Sequence, residues 1–232
     1  MSPAFVLTRR IVQLLVGLFA YGIAISLMVQ AGIGVAPWDV LTQGISHQTG
    51  WDFGLLTNII GGVVLLCWIP IRQRPGWGTL ANVLLIGPSA QLGLWILPKQ
   101  SQLVFQLLYY TGGLLLLAVA TGLYIGARMG PGPRDGLMTG IHARTGWRLW
   151  VIRTVIEVTV LLIGWALGGN FGPGTIAFAL LIGPLVGLTI PWLTVPQPKE
   201  KVGGDSPTEP SPPTLTTESD LTAQSDLTTQ SE

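Results

Sequence analysis

The chain has 232 residues, of which 49% are hydrophobic and only 10% charged, with a mean hydropathy of +0.56. Soluble domains carry about 25% charged residues. Seven of the 11 Asp and Glu lie in the last 33 residues, which leaves Asp39, Asp52, Asp135 and Glu157 for everything before residue 199. So few charges cannot maintain a water-facing surface, and the body reads as a membrane protein. The net charge of +1 gives no field for nucleic acid. Cys67 stands alone in an apolar run, which argues against a disulfide framework or a cysteine metal site. His47 and His142 are far apart and lack carboxylates at ligand spacing, so they read as loop or helix-end residues. No metal or cofactor is expected.

A membrane span needs about 20 mostly apolar residues. Six segments qualify in chain order: 11–31, 53–71, 79–97, 103–126, 149–167 and 175–194. Thr8-Arg9-Arg10 faintly resembles a twin-arginine export signal, but the apolar stretch after it is too long for a signal core and five more spans follow. It reads as a first helix. With the N-terminus inside, the inside segments hold Arg9, Arg10, Arg72, Arg74, Arg128, Arg134, Arg144, Arg148, Lys199 and Lys201, and the outside segments hold only Lys99. Lys and Arg favour the cytoplasmic side, so both termini are expected there. From Pro196 the chain is rich in Pro, Ser, Thr, Asp and Glu with no aromatic residue, so 196–232 is expected to be a disordered cytoplasmic tail.

Within this span pattern lies a duplication. Residues 31–51 (AGIGVAPWDVLTQGISHQTGW) and 127–147 (ARMGPGPRDGLMTGIHARTGW) match without a gap at ten of 21 positions, 96 residues apart. The same offset aligns GWGTLANVLLIGP (76–88) with GPGTIAFALLIGP (172–184) at nine of 13. Apolar composition alone would not align Gly34 with Gly130, Pro37 with Pro133, Asp39 with Asp135 and Thr79 with Thr175 in one frame. Each unit holds three spans, an odd number, so the second must enter the membrane from the opposite side. The expected architecture is an all-α polytopic membrane protein of two inverted three-helix repeats, 1–97 and 98–195. In secondary transporters built this way, sites lie near the midplane between the repeats.

The repeated loops carry Pro37 and Pro133, suited to the first helical position, followed by Asp39 and Asp135 in the first turn, where a carboxylate meets the positive helix end. Gly50 and Gly146 suit the helix ends, and Trp51 and Trp147 suit the membrane interface. Two geometries remain open. Each loop helix lies flat at a membrane face with Asp as helix-start chemistry, or it dips inward and its start lines a polar cavity.

Arg153 and Glu157 sit four apart inside the fifth span, where the first unit has Thr57 and Gly61. Intramembrane charges are costly and are functional candidates by default; the structural alternative is an ion pair between packed helices. Arg134, replaced by Trp38 in the first unit, can join the same cluster. Gly87-Pro88 and Gly183-Pro184 recur at matching depths and read as hinges or static kinks. Gly164/Gly168 and Gly183/Gly187 read as close-packing positions, and Thr175 as a helix cap.

GIGVAPWD, MGPGPRDGLM, TGWRLWVIRTVIE and GPGT…LLIGP resemble the motifs of the YczE/YyaS/YitT family of bacterial integral membrane proteins, over roughly residues 8–195. The resemblance implies an inner-membrane protein of five or six spans and carries no established substrate or reaction. From the residues, the expected function is transport or permeation of a small solute between the repeats, with Asp39, Arg134, Asp135, Arg153 and Glu157 at the site. The alternatives are a membrane-embedded binding subunit of a larger transporter and a non-catalytic scaffold of a membrane complex. Beyond the lipid bilayer, a homo-oligomer or a membrane-complex partner stays open. No nucleophile–base pair appears, so no enzyme is expected.

Overall fold

A computed structural model describes residues 3–195; the tail expected at 196–232 lies outside the described residues. Among the described residues every regular element is a helix. They are α1 (Pro3–Ala31), α2 (Pro37–Thr49), α3 (Phe53–Leu66), α4 (Trp68–Ile71), α5 (Trp77–Ile96), α6 (Leu103–Gly126), α7 (Pro133–Thr145), α8 (Leu149–Ala166) and α9 (Pro173–Leu193). Six segments are long and apolar enough to cross a membrane: α1, α3 with α4, α5, α6, α8 and α9. They coincide with the six expected spans to within a few residues, except that α1 begins at Pro3 rather than near residue 11. Nothing between Pro3 and Ile11 breaks a helix, and proline is at home in a first turn.

Local chemistry sets the other boundaries. The second span is interrupted at Cys67 because Pro70 has no N–H to bond the Leu66 carbonyl and its ring crowds that carbonyl. α5 and α9 start at Gly76 and Gly172, whose N–H groups are met by the Oγ1 of Thr79 and Thr175 at 3.3 and 3.4 Å. Thr175 therefore caps from inside the first turn rather than from the cap position itself. α2 and α7 end at Gly50 and Gly146, both left-handed (φ 73° and 70°), as glycine readily allows. His47 Nδ1 sits 2.8 Å from the Gly168 carbonyl and His142 Nδ1 sits 2.6 Å from the Trp147 carbonyl. Both histidines are helix-end residues.

Side-chain to backbone bonds identify the two ends of the bundle. At one end Gln30 Nε2 donates to the Leu94 and Leu97 carbonyls (3.0 and 2.7 Å), joining the end of α1 to the end of α5. At that same end Tyr110 of α6 donates to the Gly174 carbonyl at the start of α9. At the other end Gln13 Nε2 joins α1 to the Leu123 and Leu193 carbonyls near the ends of α6 and α9 (3.0 and 2.6 Å). α1 and α5 therefore run one way, and α6 and α9 run the other. α1 and α6 pack side by side at the centre, with Leu14, Leu18, Ile25, Met28, Leu114 and Leu117 buried between the helices. The outer surface is apolar, as at Leu84, Leu180 and Leu188, which suits lipid rather than water.

The loop helices are held by side chains that leave no spare room. Gly44 of α2 and Gly164 of α8 meet so closely that a Cβ on Gly164 would collide with the backbone of Val40 and Leu41. Small residues permit such an approach between helices in membranes. α7 rests on Trp68, which is 1% exposed. Its indole N–H donates to the Pro133 carbonyl at 3.0 Å, and its ring fills the space where a Gly136 side chain would stand. The expected close packing is therefore present at Gly164. It is absent at Gly183 and Gly187, where a Cβ would meet nothing within 4 Å. Gly168 is a turn residue (φ 93°) rather than a packing position. Replacing Gly164 with Leu should cost about 1–3 kcal/mol by overpacking and lower the Tm of the purified protein in detergent. Gly62→Ala, placed in open space, should leave Tm unchanged; a Gly164→Leu protein of undiminished Tm would contradict the packing described.

Candidate functional site

The loop helices do not lie flat. α2 finishes where His47 and Gln48 Nε2 reach the Gly168 and Leu167 carbonyls, at the end of the bundle where α8 stops and α9 starts. α7 finishes where Arg144 Nε donates to the Ile71 carbonyl at 3.1 Å, at the end where α4 stops and α5 starts. From these opposite ends the two helices converge on each other. At their starts the Arg134 guanidinium stacks 4.9 Å above the Trp38 ring, and one of its nitrogens lies 3.9 Å from Asp39 Oδ1. Of the two geometries left open by the sequence, the inward one is adopted.

Backbone conformation makes this entry possible. Gly34 and Gly130, at φ 119° and 129°, turn the chain where the start of each loop presses against Thr175 and Thr79 respectively. A side chain at either position would collide with the threonine as well as strain the backbone. Thr79 Oγ1 then donates to the Pro131 carbonyl at 2.7 Å, fixing the descent of the second loop.

The converging starts border a cavity of about 280 Å³. All five candidate residues, Asp39, Arg134, Asp135, Arg153 and Glu157, line it. Three of the four acidic residues before position 199 thus share one space with two guanidinium groups. Among the hinge candidates Gly183 also lines the cavity, whereas Gly87 is packed against Gly54 and Asn58 of α3. Pro88 and Pro184 lie within continuous helices.

Within the cavity the groups are unequally satisfied. Asp135 Oδ2 accepts a hydrogen bond from Tyr124 at 2.9 Å. Arg153 Nε donates to Glu157 Oε1 at 2.9 Å, with 48% and 22% of the two side chains exposed. Asp39 is 2% exposed, and its Oδ1 has no hydrogen-bond partner among the described residues. The Trp38 indole N–H is likewise buried and unpaired. At 3.9 Å, Arg134 is too far from Asp39 to supply a hydrogen bond. A buried polar atom without a partner costs about 1–3 kcal/mol, more when charged. Here a charged acceptor and a neutral donor are left so on neighbouring residues. Asp39 and Asp135 stand in the first turns of α2 and α7 as expected, and neither bonds its own helix backbone among the described residues, so both carboxylates also face the cavity.

Further residues at the cavity were not singled out from the sequence. Tyr21 and Tyr124 face each other edge to face with centroids 5.9 Å apart. Asn82 and Trp38 add to the polar lining, as do Thr57 and Thr121. A readable signal did exist for the tyrosines. The chain has only four, and a hydroxyl within an apolar span needs a partner.

Comparison with known proteins supplies the family. Residues 8–191 match the model described as a family of unknown function, DUF6198. An uncharacterized protein of Haemophilus influenzae is 40% identical over 178 residues, covering 77% of this chain and 82% of its own length. The uncharacterized membrane protein YczE of Bacillus subtilis is 31% identical over 175 residues, covering 75% of this chain and 81% of its own. The uncharacterized protein YyaS of the same bacterium is 26% identical over 180 residues, covering 76% and 90%. No solved structure matches. Six spanning helices and these relatives identify an integral membrane protein, and the chain belongs to the DUF6198 family, with the YczE- and YyaS-type proteins among its relatives.

Proposed function

We propose that the protein is a non-catalytic carrier of the bacterial inner membrane. It takes a compact solute bearing an anionic group into the central cavity and moves it together with a proton or cation. Residues 1–97 and 98–195 form its two inverted units, a reading supported by the opposite directions of α1 and α6 and of α5 and α9. The observation that carries the proposal is the unpaired state of Trp38 and Asp39 at the meeting point of two helix starts. Helix N-termini present free N–H groups and a partial positive charge. With Arg134 and the Trp38 indole beside them, they suit an anionic group arriving at the centre of the membrane. Asp39, buried and lacking a hydrogen bond at Oδ1, suits the coupled proton or cation. Arg153 and Glu157, paired and partly exposed, suit the solute's path inward.

Both termini face the cytoplasm in this reading. Arg72, Arg74, Arg128, Arg144 and Arg148 belong to one end of the bundle, and Lys99 belongs to the other. In a Cys67→Ala background, cysteines placed at 98–102 should react with a membrane-impermeant thiol reagent added to intact cells after the outer membrane is permeabilised. Reaction only after lysis would overturn the orientation.

The solute itself is sought by untargeted metabolite comparison of a deletion strain with its complemented parent, followed by uptake into proteoliposomes. Glu157→Gln should express and melt as the parent does while losing most of that uptake. The double variant Arg153→Gln/Glu157→Gln should not restore it. If Glu157 only balances Arg153, the double neutral variant should instead function, since removing one member of an ion pair within a membrane span strands the other whereas removing both does not. A fully active Glu157→Gln protein would remove Glu157 from the site.

A further inference from the structure

The helices around the cavity form a series with two loose ends. α9 packs on α6, α6 on α1, α1 on α5, α5 on α3, α3 on α2 and α2 on α8, whereas α8 and α9 barely touch. In the first unit the matching pair is shut, because Gly54 of α3 meets Gly87 of α5 so closely that neither has room for a Cβ. The counterpart of Gly54 at the offset of 96 is Trp150, too large for such a contact. Gly183, the counterpart of Gly87, has nothing within 4 Å of its Cβ position, and the same holds for Gly187 one turn further on. The separation of α8 from α9 is therefore a standing cleft, set by the residues themselves.

Both edges of this cleft belong to the cavity wall. Arg153 and Glu157 line the cavity from α8, and Ile182, Gly183 and Val186 line it from α9. On their outer sides Val155, Leu180 and Leu188 are exposed, as lipid-facing residues are. Gly183 stands at the midpoint of α9, about 15 Å from either end, and so half-way through a hydrocarbon core of about 30 Å. An opening at that depth faces acyl chains rather than water. The cavity is divided in the same sense. Arg134, Trp38 and Asp39 stand at the helix starts, while Ile86, Leu117, Phe178, Ile182 and Val186 furnish an apolar wall. At about 280 Å³ it lies near the lower limit for ligand pockets, with room for a head group and a short apolar body. A longer chain needs the cleft.

We propose that the cavity opens sideways to the bilayer between α8 and α9 and takes an alkyl carboxylic acid directly from the lipid. The head group lodges by Arg134 and Trp38, and the chain lies in the cleft beside Gly183. A bare carboxylate is costly in hydrocarbon, so the acid arrives protonated. At the site its O–H bond breaks and the proton goes to Asp39 Oδ1, which is buried and without a hydrogen-bond partner among the described residues. The carboxylate left behind accepts from the Arg134 guanidinium, a charge-assisted bond, and from the unpaired Trp38 indole N–H. With one guanidinium at this position and Asp39 only 3.9 Å from it, the site favours a single negative charge over a doubly charged phosphate. Such an acid is the anionic solute of the carrier reading, on which this assignment rests for the site.

The test is equilibrium binding of radiolabelled butyrate, hexanoate, octanoate and decanoate to the full chain in phosphatidylcholine nanodiscs, with empty nanodiscs subtracted and affinities referred to the free acid in water. From butyrate to octanoate, affinity should rise about fourfold for each added methylene. Gly183→Leu places its side chain in open space. It should bind butyrate as the parent does and octanoate and decanoate about fifteenfold more weakly, the worth of two methylenes displaced from the cleft. Arg134→Gln should weaken all four acids by a similar factor. Gly62→Leu, also in open space but outside the cavity wall, should change none. No binding of any acid, affinity independent of chain length, or a length series that Gly183→Leu leaves intact would refute the proposal, and the carrier reading would then stand for a water-borne anion. A disulfide between chains from Gly183→Cys in a Cys67→Ala background would put a second copy in the cleft and refute it equally. Gly183-dependent binding of octanoate without its uptake into proteoliposomes would keep the site and remove the carrier reading.

Discussion

Two helices that begin at the centre of a membrane protein impose a demand which most of this structure answers. Their first turns expose N–H groups without helical partners, and a membrane interior supplies no water to meet them. Sequence can place such starts only where other protein surrounds them. Here α2 is pressed to α8 through Gly44 and Gly164, and α7 is seated on the Trp68 ring and its bond to Pro133. Pro37 and Pro133 each remove one donor from the problem. What remains faces a shared cavity bordered by Asp39, Arg134 and Trp38, where Asp39 Oδ1 and the Trp38 indole N–H are buried without a hydrogen-bond partner among the described residues. A carboxylate and an arginine held 3.9 Å apart at a cavity leave room for a further group between them, which is the feature the carrier proposal uses.

The proposed inverted repeat accounts for why the starts meet: a loop helix that enters from one end is matched by one entering from the other, and α1 and α5 run opposite to α6 and α9. The units are not identical, however, and their differences are concentrated where chemistry would need them. Trp38 faces Arg134 across the meeting point, Thr57 and Gly61 give way to Arg153 and Glu157, and Gly54 gives way to Trp150. The first two differences furnish the cavity with charge. The third falls at the helix pair that stands open.

Much of this was legible in the residues, for identifiable reasons. Spans announce themselves because twenty apolar residues have few other uses, and the glycines, prolines and aspartates of the duplication survive in one frame because backbone geometry fixes them. Arg153 and Glu157 stood out as charges within a span and Asp39, Arg134 and Asp135 as charges of the repeated loops, and the structure gathers all five at one cavity. The path of the loop helices was not legible, since Pro-x-Asp begins a surface helix as readily as an inward one. Only the contact between Trp38 and Arg134, across 96 residues of chain, separates the two. Gly183 and Gly187 misled for a related reason. A glycine pair marks a face that permits close approach but does not itself place a neighbour there. The break at Cys67 follows from Pro70 and was readable, though it leaves the span intact.

The account stands on the convergence of the two loop helices, and cross-linking in the native membrane tests that directly. With Cys67 replaced by Ala and single cysteines at Asp39 and Arg134, a short bifunctional thiol reagent should join the two positions within one chain. Flat helices at opposite faces of a bilayer would hold these positions about 30 Å apart. The result that would contradict the account is no cross-link, with each cysteine labelled by an impermeant reagent from its own side of the membrane.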